Sequence, residues 1–168
     1  MSGPNPARNR LPSLTFAELG GVIGQDLGRS DWITITQERI DRFADATLDH
    51  QFIHVDPEQA RKSSFGGTVA HGFLTMSLLP RFFFSVVRPI EGVEMEVNYG
   101  FNRLRLLRPV PVGSRLRAGF VLKDVVLKTP RQVLCAYDAT VELQGADRPC
   151  LVAEWLMLSF LSDQQQQP

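Results

Sequence analysis

All three histidines of this 168-residue chain fall in one stretch, DATLDHQFIHVDPEQARKSSFGGTVAHGF, residues 45–73. They are His50, His54 and His71; Asp49 stands five positions before His54, and Gly66, Gly67 and Gly72 punctuate the approach to the far end. Imidazole is the side chain that titrates near neutrality and also the commonest metal ligand. Such clustering poses a choice between metal ligation and acid–base chemistry.

His50 and His54 have the four-residue spacing that puts two ligands on one helix face. However, Phe52 and Ile53 lie between them, and Asp56-Pro57 with Gln59 reads as a helix start: the carboxylate caps free N–H groups and proline opens the first turn. This places His54 upstream of a helix, in a loop. No His-Glu-x-x-His pattern and no nearby cysteine completes a three- or four-ligand set, so no metal is expected. Nucleophilic catalysis has no Gly-x-Ser-x-Gly elbow to support it. Cys135 and Cys150 sit in apolar strand-like runs that predict buried free thiols. The segment FGGTVAHGF lacks both the Walker lysine and the dinucleotide-loop spacing.

An Asp/His pair remains. Asp49 and His54 together suit the holding of one water and the movement of its protons. Gly72 opens an apolar helix, where a backbone N–H free of any side chain can stabilise a developing oxyanion. Each residue also has a plainer reading. Asp49 could be a loop or capping aspartate, His54 a hydrogen-bonded loop histidine, and His71 a helix-entry residue. Asp56 is assigned to capping alone.

These residues must be positioned by the elements around them. SDWITIT alternates like a short strand, and Thr36 can cap a helix that carries Ile40, Phe43, Ala44 and Thr47 on one face. A short helix runs from Pro57 to about Lys62. GFLTMSLLPRFFFSVV, residues 72–87, is apolar on nearly every side and predicts a buried helix that Pro80 kinks or divides. After residue 92 four long strand-like segments are separated by RPVPVG, KTP and QGADRP. Short turns imply antiparallel pairing, hence an α+β layout with the helix packed on one sheet face. Residues 1–12 read as a flexible arm, 13–162 as the folded domain, and 163–168 as a disordered tail.

At DHQFIHVDP followed by FGGTVAHGFLTMSLLP the sequence resembles the MaoC-like (R)-specific enoyl-CoA hydratases and dehydratases. Their signature runs Asp-x-Asn-Pro-Ile/Leu-His-x-Asp, then His-Gly at the start of the central helix. Asp49, Ile53, His54, Asp56, His71 and Gly72 occupy the matching positions. Gln51 and Phe52 replace the usual Asn-Pro, a variant similar to the nodulation-protein-N-like branch. A serine that supports the catalytic aspartate in some members aligns near Pro80, so Ser77 or Asn98 is the candidate substitute.

The resemblance implies a single hot-dog fold, a long central helix wrapped by a curved antiparallel sheet, working as a homodimer. It implies addition of water across a trans-2-enoyl thioester by Asp49 and His54, with Gly72 N–H polarising the thioester oxygen. His71, Asn98, Arg103 and Arg105 are candidate substrate contacts, with Arg108 a further candidate for the phosphates. No cofactor is implied beyond the coenzyme A carried by the substrate. The rivals are a hot-dog thioesterase and a non-catalytic acyl-thioester-binding module.

Composition narrows the partners. With 18 basic and 18 acidic residues the formal net charge is +0, without the basic excess of a dedicated nucleic-acid binder. FFFSVV, the longest apolar run, is far short of a membrane span, and the N-terminus lacks a secretory apolar region. A cytoplasmic protein without membrane or nucleic-acid partners is expected.

Overall fold

The computed structural model describes residues 11–162. The expected arm over residues 1–12 and the tail over 163–168 therefore lie outside the described residues, Leu11 and Pro12 excepted. Four long strands follow one another as β3 (Val93–Leu106), β4 (Arg115–Thr129), β5 (Gln132–Leu143) and β6 (Leu151–Leu161). Two short ones precede them, β1 (Asp26–Arg29) and β2 (Ile33–Thr34). Every pairing between these strands is antiparallel, in the order β1-β4-β5-β6-β3, with β2 also on β4.

The turns joining β4 to β5 and β5 to β6 give hairpins, as their length predicts. β3 and β4 are consecutive but unpaired; β3 lies against β6 and forms one edge of the sheet. SDWITIT contributes less strand than its alternation suggests. Only Ile33 and Thr34 pair, opposite Leu116 and Arg115. β1 carries no comparable alternation and was not evident from sequence.

Two helices fill the concave face. α5 (Gly72–Ser77) and α6 (Leu79–Val86) are divided at Leu78, with Pro80 in the first turn of α6, where its missing N–H costs no hydrogen bond. Leu79, Phe82 and Phe83 of α6 have no exposed surface. The ring of Phe83 meets Phe120, Tyr137 and Trp155 edge-on, with centroids 5.4, 4.9 and 5.3 Å away. Edge-to-face contacts of this kind add to the hydrophobic gain of burying each ring. The helical run is not buried all round, however, for Phe73 stands 68% exposed.

The opposite face of the sheet is polar. Lys123 bonds Glu154 and lies 3.9 Å from Asp138, and Asn102 donates to the same Glu154 carboxylate. Both cysteines are buried thiols, and burial pushes each up to about 11.

Among the described residues four further α-helices, α1 (Phe16–Leu19), α2 (Gln37–Thr47), α3 (Phe52–Val55) and α4 (Pro57–Arg61), and a 3₁₀ turn at Gly20–Val22 lie before α5. Phe83 is the ring on which helix and sheet converge. Phe83→Ala should lower the free energy of unfolding by about 3–5 kcal/mol, read as a reduced urea midpoint without a change in slope.

Candidate active site

α2 begins at Thr36, whose hydroxyl accepts from Arg39 N–H at 3.2 Å, and buries Ile40 and Ala44. It ends at Leu48, which takes a left-handed conformation (φ 59°, ψ 23°). Glycine and asparagine are the usual residues there, because Cβ crowds the backbone. The side chain of Leu48 is 83% exposed, so no packing offsets that strain. This turn delivers Asp49.

His54 does not stand in a loop. Phe52–Val55 closes into one helical turn, with Asp56 N–H donating to the Phe52 carbonyl at 3.0 Å. The cap at Asp56 ends that turn and starts α4: its carboxylate accepts from the N–H groups of Glu58 and Gln59. The Gln59 N–H chiefly holds that carboxyl below its ordinary range, as a permanent capping charge should be.

Gln37 ties the turn in place and was not singled out from the sequence. Its side-chain amide donates to the His54 carbonyl at 2.7 Å and to Asp41 Oδ1 at 2.8 Å, while its oxygen accepts from the Thr68 hydroxyl at 2.6 Å. Nothing in its local spacing distinguishes it from any exposed helix-start glutamine.

The segment after α4 is stitched down in turn. Val69 N–H donates to the Ile53 carbonyl at 3.0 Å, and Ala70 N–H to that of Val110 at 2.8 Å. Val69 returns its own carbonyl to the ring of His54, 2.6 Å from Nδ1. A carbonyl oxygen only accepts, so Nδ1 carries a proton, and in the neutral ring Nε2 is the nitrogen with the lone pair. His54 is buried, and one side of it borders a cavity of about 360 Å³ shared with Ile53, Phe65, Gly72, Leu106 and Arg108.

His71 stacks on His54, with ring centroids 3.8 Å apart and planes inclined by 26°. Its Nε2 donates to the Asp49 carbonyl at 2.9 Å and lies 4.0 Å from Asp49 Oδ2. One nitrogen or carboxylate oxygen from each of Asp49, His54 and His71 falls within 4.8 Å of the others. Stacked imidazoles direct their in-plane lone pairs side by side, and His71 Nε2 is already committed to a carbonyl. Convergence on one ion would need a ring to turn. The arrangement fits proton movement better than coordination.

Gly72 is the first residue of α5, and no acceptor for its N–H is present among the described residues. A Cβ at this position would lie 2.3 Å from Leu106 Cδ1, so the glycine also makes room for Leu106. Cys150 shares the cavity wall, but burial pushes its thiol up to about 11 and it donates to the Val141 carbonyl. At neutral pH it is no nucleophile.

The structure thus brings Asp49, His54 and His71 together, and sets His54 and Gly72 on one cavity. Of the arginines, Arg108 reaches that cavity, 3.5 Å from Asp147. Arg103 and Arg105 stand exposed on β3 and do not border it. Asn98 lies elsewhere, beside Ser77, Pro80 and Trp155 in a separate hollow of about 270 Å³. Ser77 donates to the Phe73 carbonyl of its own helix, so it does not reach Asp49. His50 pairs with Asp45 at 3.0 Å on the exposed side of the turn.

A curved antiparallel sheet around a central helix defines a hot-dog protein, and here the buried His54 borders a cavity at the start of that helix. Residues 18–143 match the family described as MaoC like domain, and the chain belongs to that family. It is an enzyme of the hydro-lyase type. It is 48% identical over 149 residues to nodulation protein N of Rhizobium leguminosarum bv. viciae, covering 88% of this chain and 92% of that one. It is equally 48% identical, over 140 residues, to 3-hydroxyacyl-thioester dehydratase Z of Mycobacterium tuberculosis, covering 83% and 92%. Among solved structures, an (R)-hydratase from A. caviae shares the fold with a TM-score of 0.67 at 20% identity, over 80% of this chain and 94% of that one. In the described residues no helix is long and apolar enough to cross a membrane.

The left-handed residue gives a direct test of how the turn is held. Leu48→Gly should stabilise the protein by about 1 kcal/mol, seen as a higher thermal midpoint. An unchanged or lower midpoint would mean that the strain relieved at position 48 does not exceed the conformational entropy that glycine loses on folding.

Proposed function

We propose that the chain is an (R)-specific enoyl-CoA hydratase, acting in reverse as a 3-hydroxyacyl-CoA dehydratase. The observation that carries this reading is the His54 ring, fixed through Nδ1–H to the Val69 carbonyl, bordering the cavity with an Asp49 oxygen within 4.8 Å of one of its nitrogens. The dehydratase activity in the name of the mycobacterial relative supports the same substrate class.

A water held between Asp49 and His54 loses a proton to one of them as its oxygen attacks C3 of the enoyl thioester. Negative charge moves to the thioester oxygen, where Gly72 N–H donates to it, and C2 is then protonated from the same pair. The thioester makes C2 acidic enough that the reaction is read as needing no metal or redox cofactor. Coenzyme A arrives with the substrate, and Arg108 is the cavity residue best placed for its phosphates. Arg103, Arg105 and Asn98 reach such a substrate only outside the cavity that His54 borders.

Homodimer formation belongs to the same reading. β3 is a 14-residue edge strand that exposes Met95, Tyr99 and Phe101. Long edges with apolar side chains are normally paired or covered. Light scattering on the purified protein should give twice the monomer mass.

The catalytic assignment is tested with crotonyl-CoA. Asp49→Asn and His54→Gln should each lower kcat by about 10²–10⁴-fold while the protein still folds and binds thioester, with loss of enoyl absorbance as the readout. Near-normal turnover in either variant overturns the roles. Release of free coenzyme A in place of a 3-hydroxy product would indicate a thioesterase.

A further inference from the structure

His71 has no share in the cavity wall, is 2% exposed, and touches both members of the proposed catalytic pair. We propose that His71 is a positioning residue, an imidazole that locks Asp49 and His54 into a single geometry. The inference rests on the hydratase reading and adds to it a third residue that never meets the substrate.

Three contacts support it. The Nε2–H of His71 donates to the Asp49 carbonyl at 2.9 Å, which pins the backbone just after the strained Leu48. Its ring lies against that of His54 at 3.8 Å, so His54 cannot tilt toward it without a clash. Phe43 closes the remaining side, its ring centroid 5.0 Å away. One side chain therefore sets the relative placement of a carboxylate and an imidazole that come from different elements.

The other ring nitrogen takes no part in the lock: His71 Nδ1 is buried and has no hydrogen-bond partner among the described residues. The ring is therefore held by its Nε2–H and by its two faces alone.

Two measurements decide this. In protein labelled with nitrogen-15 in its histidines, the neutral ring of His71 should show the Nε2–H tautomer. An Nδ1–H tautomer overturns the lock. In kinetics with crotonyl-CoA, His71→Phe keeps a stacked ring and loses the donor. It should lower kcat about tenfold to a hundredfold with KM within about twofold. His71→Gln restores a donor and should recover part of that loss. Full kcat in a folded His71→Phe protein, or no recovery in His71→Gln, would overturn the positioning role. Absence of hydration by the wild-type protein would instead refute the hydratase reading, and the nitrogen-15 result would still decide which nitrogen of His71 donates.

Discussion

Much of this site depends on a single acceptor, the carbonyl oxygen of Val69. At 2.6 Å from His54 Nδ1 it can only accept, so it dictates which nitrogen of the ring is left with a lone pair. The carbonyl is held where it is because its own residue is bonded on both sides: Val69 N–H to Ile53, and Ala70 N–H to Val110 just before β4. The histidine and its orienting carbonyl thus belong to one closed loop of hydrogen bonds. Disturbing Ile53 or Val110 would be felt at Nε2, although neither carries any chemistry.

A second consequence concerns how local order is achieved in so short a span. α3 has four residues and α4 has five, lengths at which an isolated helix does not survive in water. They persist because their polar ends are satisfied from outside: Asp56 serves as the cap of α4, and Gln37 takes the His54 carbonyl. Gln37 has every polar atom of its side-chain amide in use, with partners in α2, α3 and the loop at Thr68. Such a fully satisfied group orients its neighbours, whereas a partly satisfied one would destabilise them.

What could be read in the chain and what could not divide along the same physical line. Thr36 and Asp56 are caps whose chemistry is local, and both start helices where the residue types place them. The division of α5 from α6 near Pro80, and the four strands after residue 92, were equally legible, since ring geometry and alternation act within a few residues. The turn at His54 was not: a single turn shows no periodicity, and its stability comes from partners 15 and 17 residues away. Strand order was hidden for the same reason. β3 pairs with β6 and not with its neighbour β4, a choice between distant segments that no local pattern in the chain records. Arg103, Arg105 and Arg108 have similar spacing to any basic strand segment. Only Arg108, just past the end of β3, meets the cavity.

The proposed site divides into a wet half and a dry half, which gives each of its two acid–base groups a different setting. Asp49 is more than half exposed and stays in contact with solvent, which supplies it with water. The cavity behind His54 is lined mostly by apolar side chains, where a neutral imidazole is tolerated and a carboxylate would not be. A thioester oxygen bound at Gly72 would sit on that dry side, where a single N–H donor interacts strongly because water does not compete. His54 is the residue that belongs to both halves. Its Nδ1 is bound to Val69 and its ring borders the cavity, while an Asp49 oxygen lies within 4.8 Å of one of its nitrogens. Cys150, on the same dry wall, illustrates the opposite outcome: without an exposed partner, burial alone drives its thiol up to about 11 and leaves it inert.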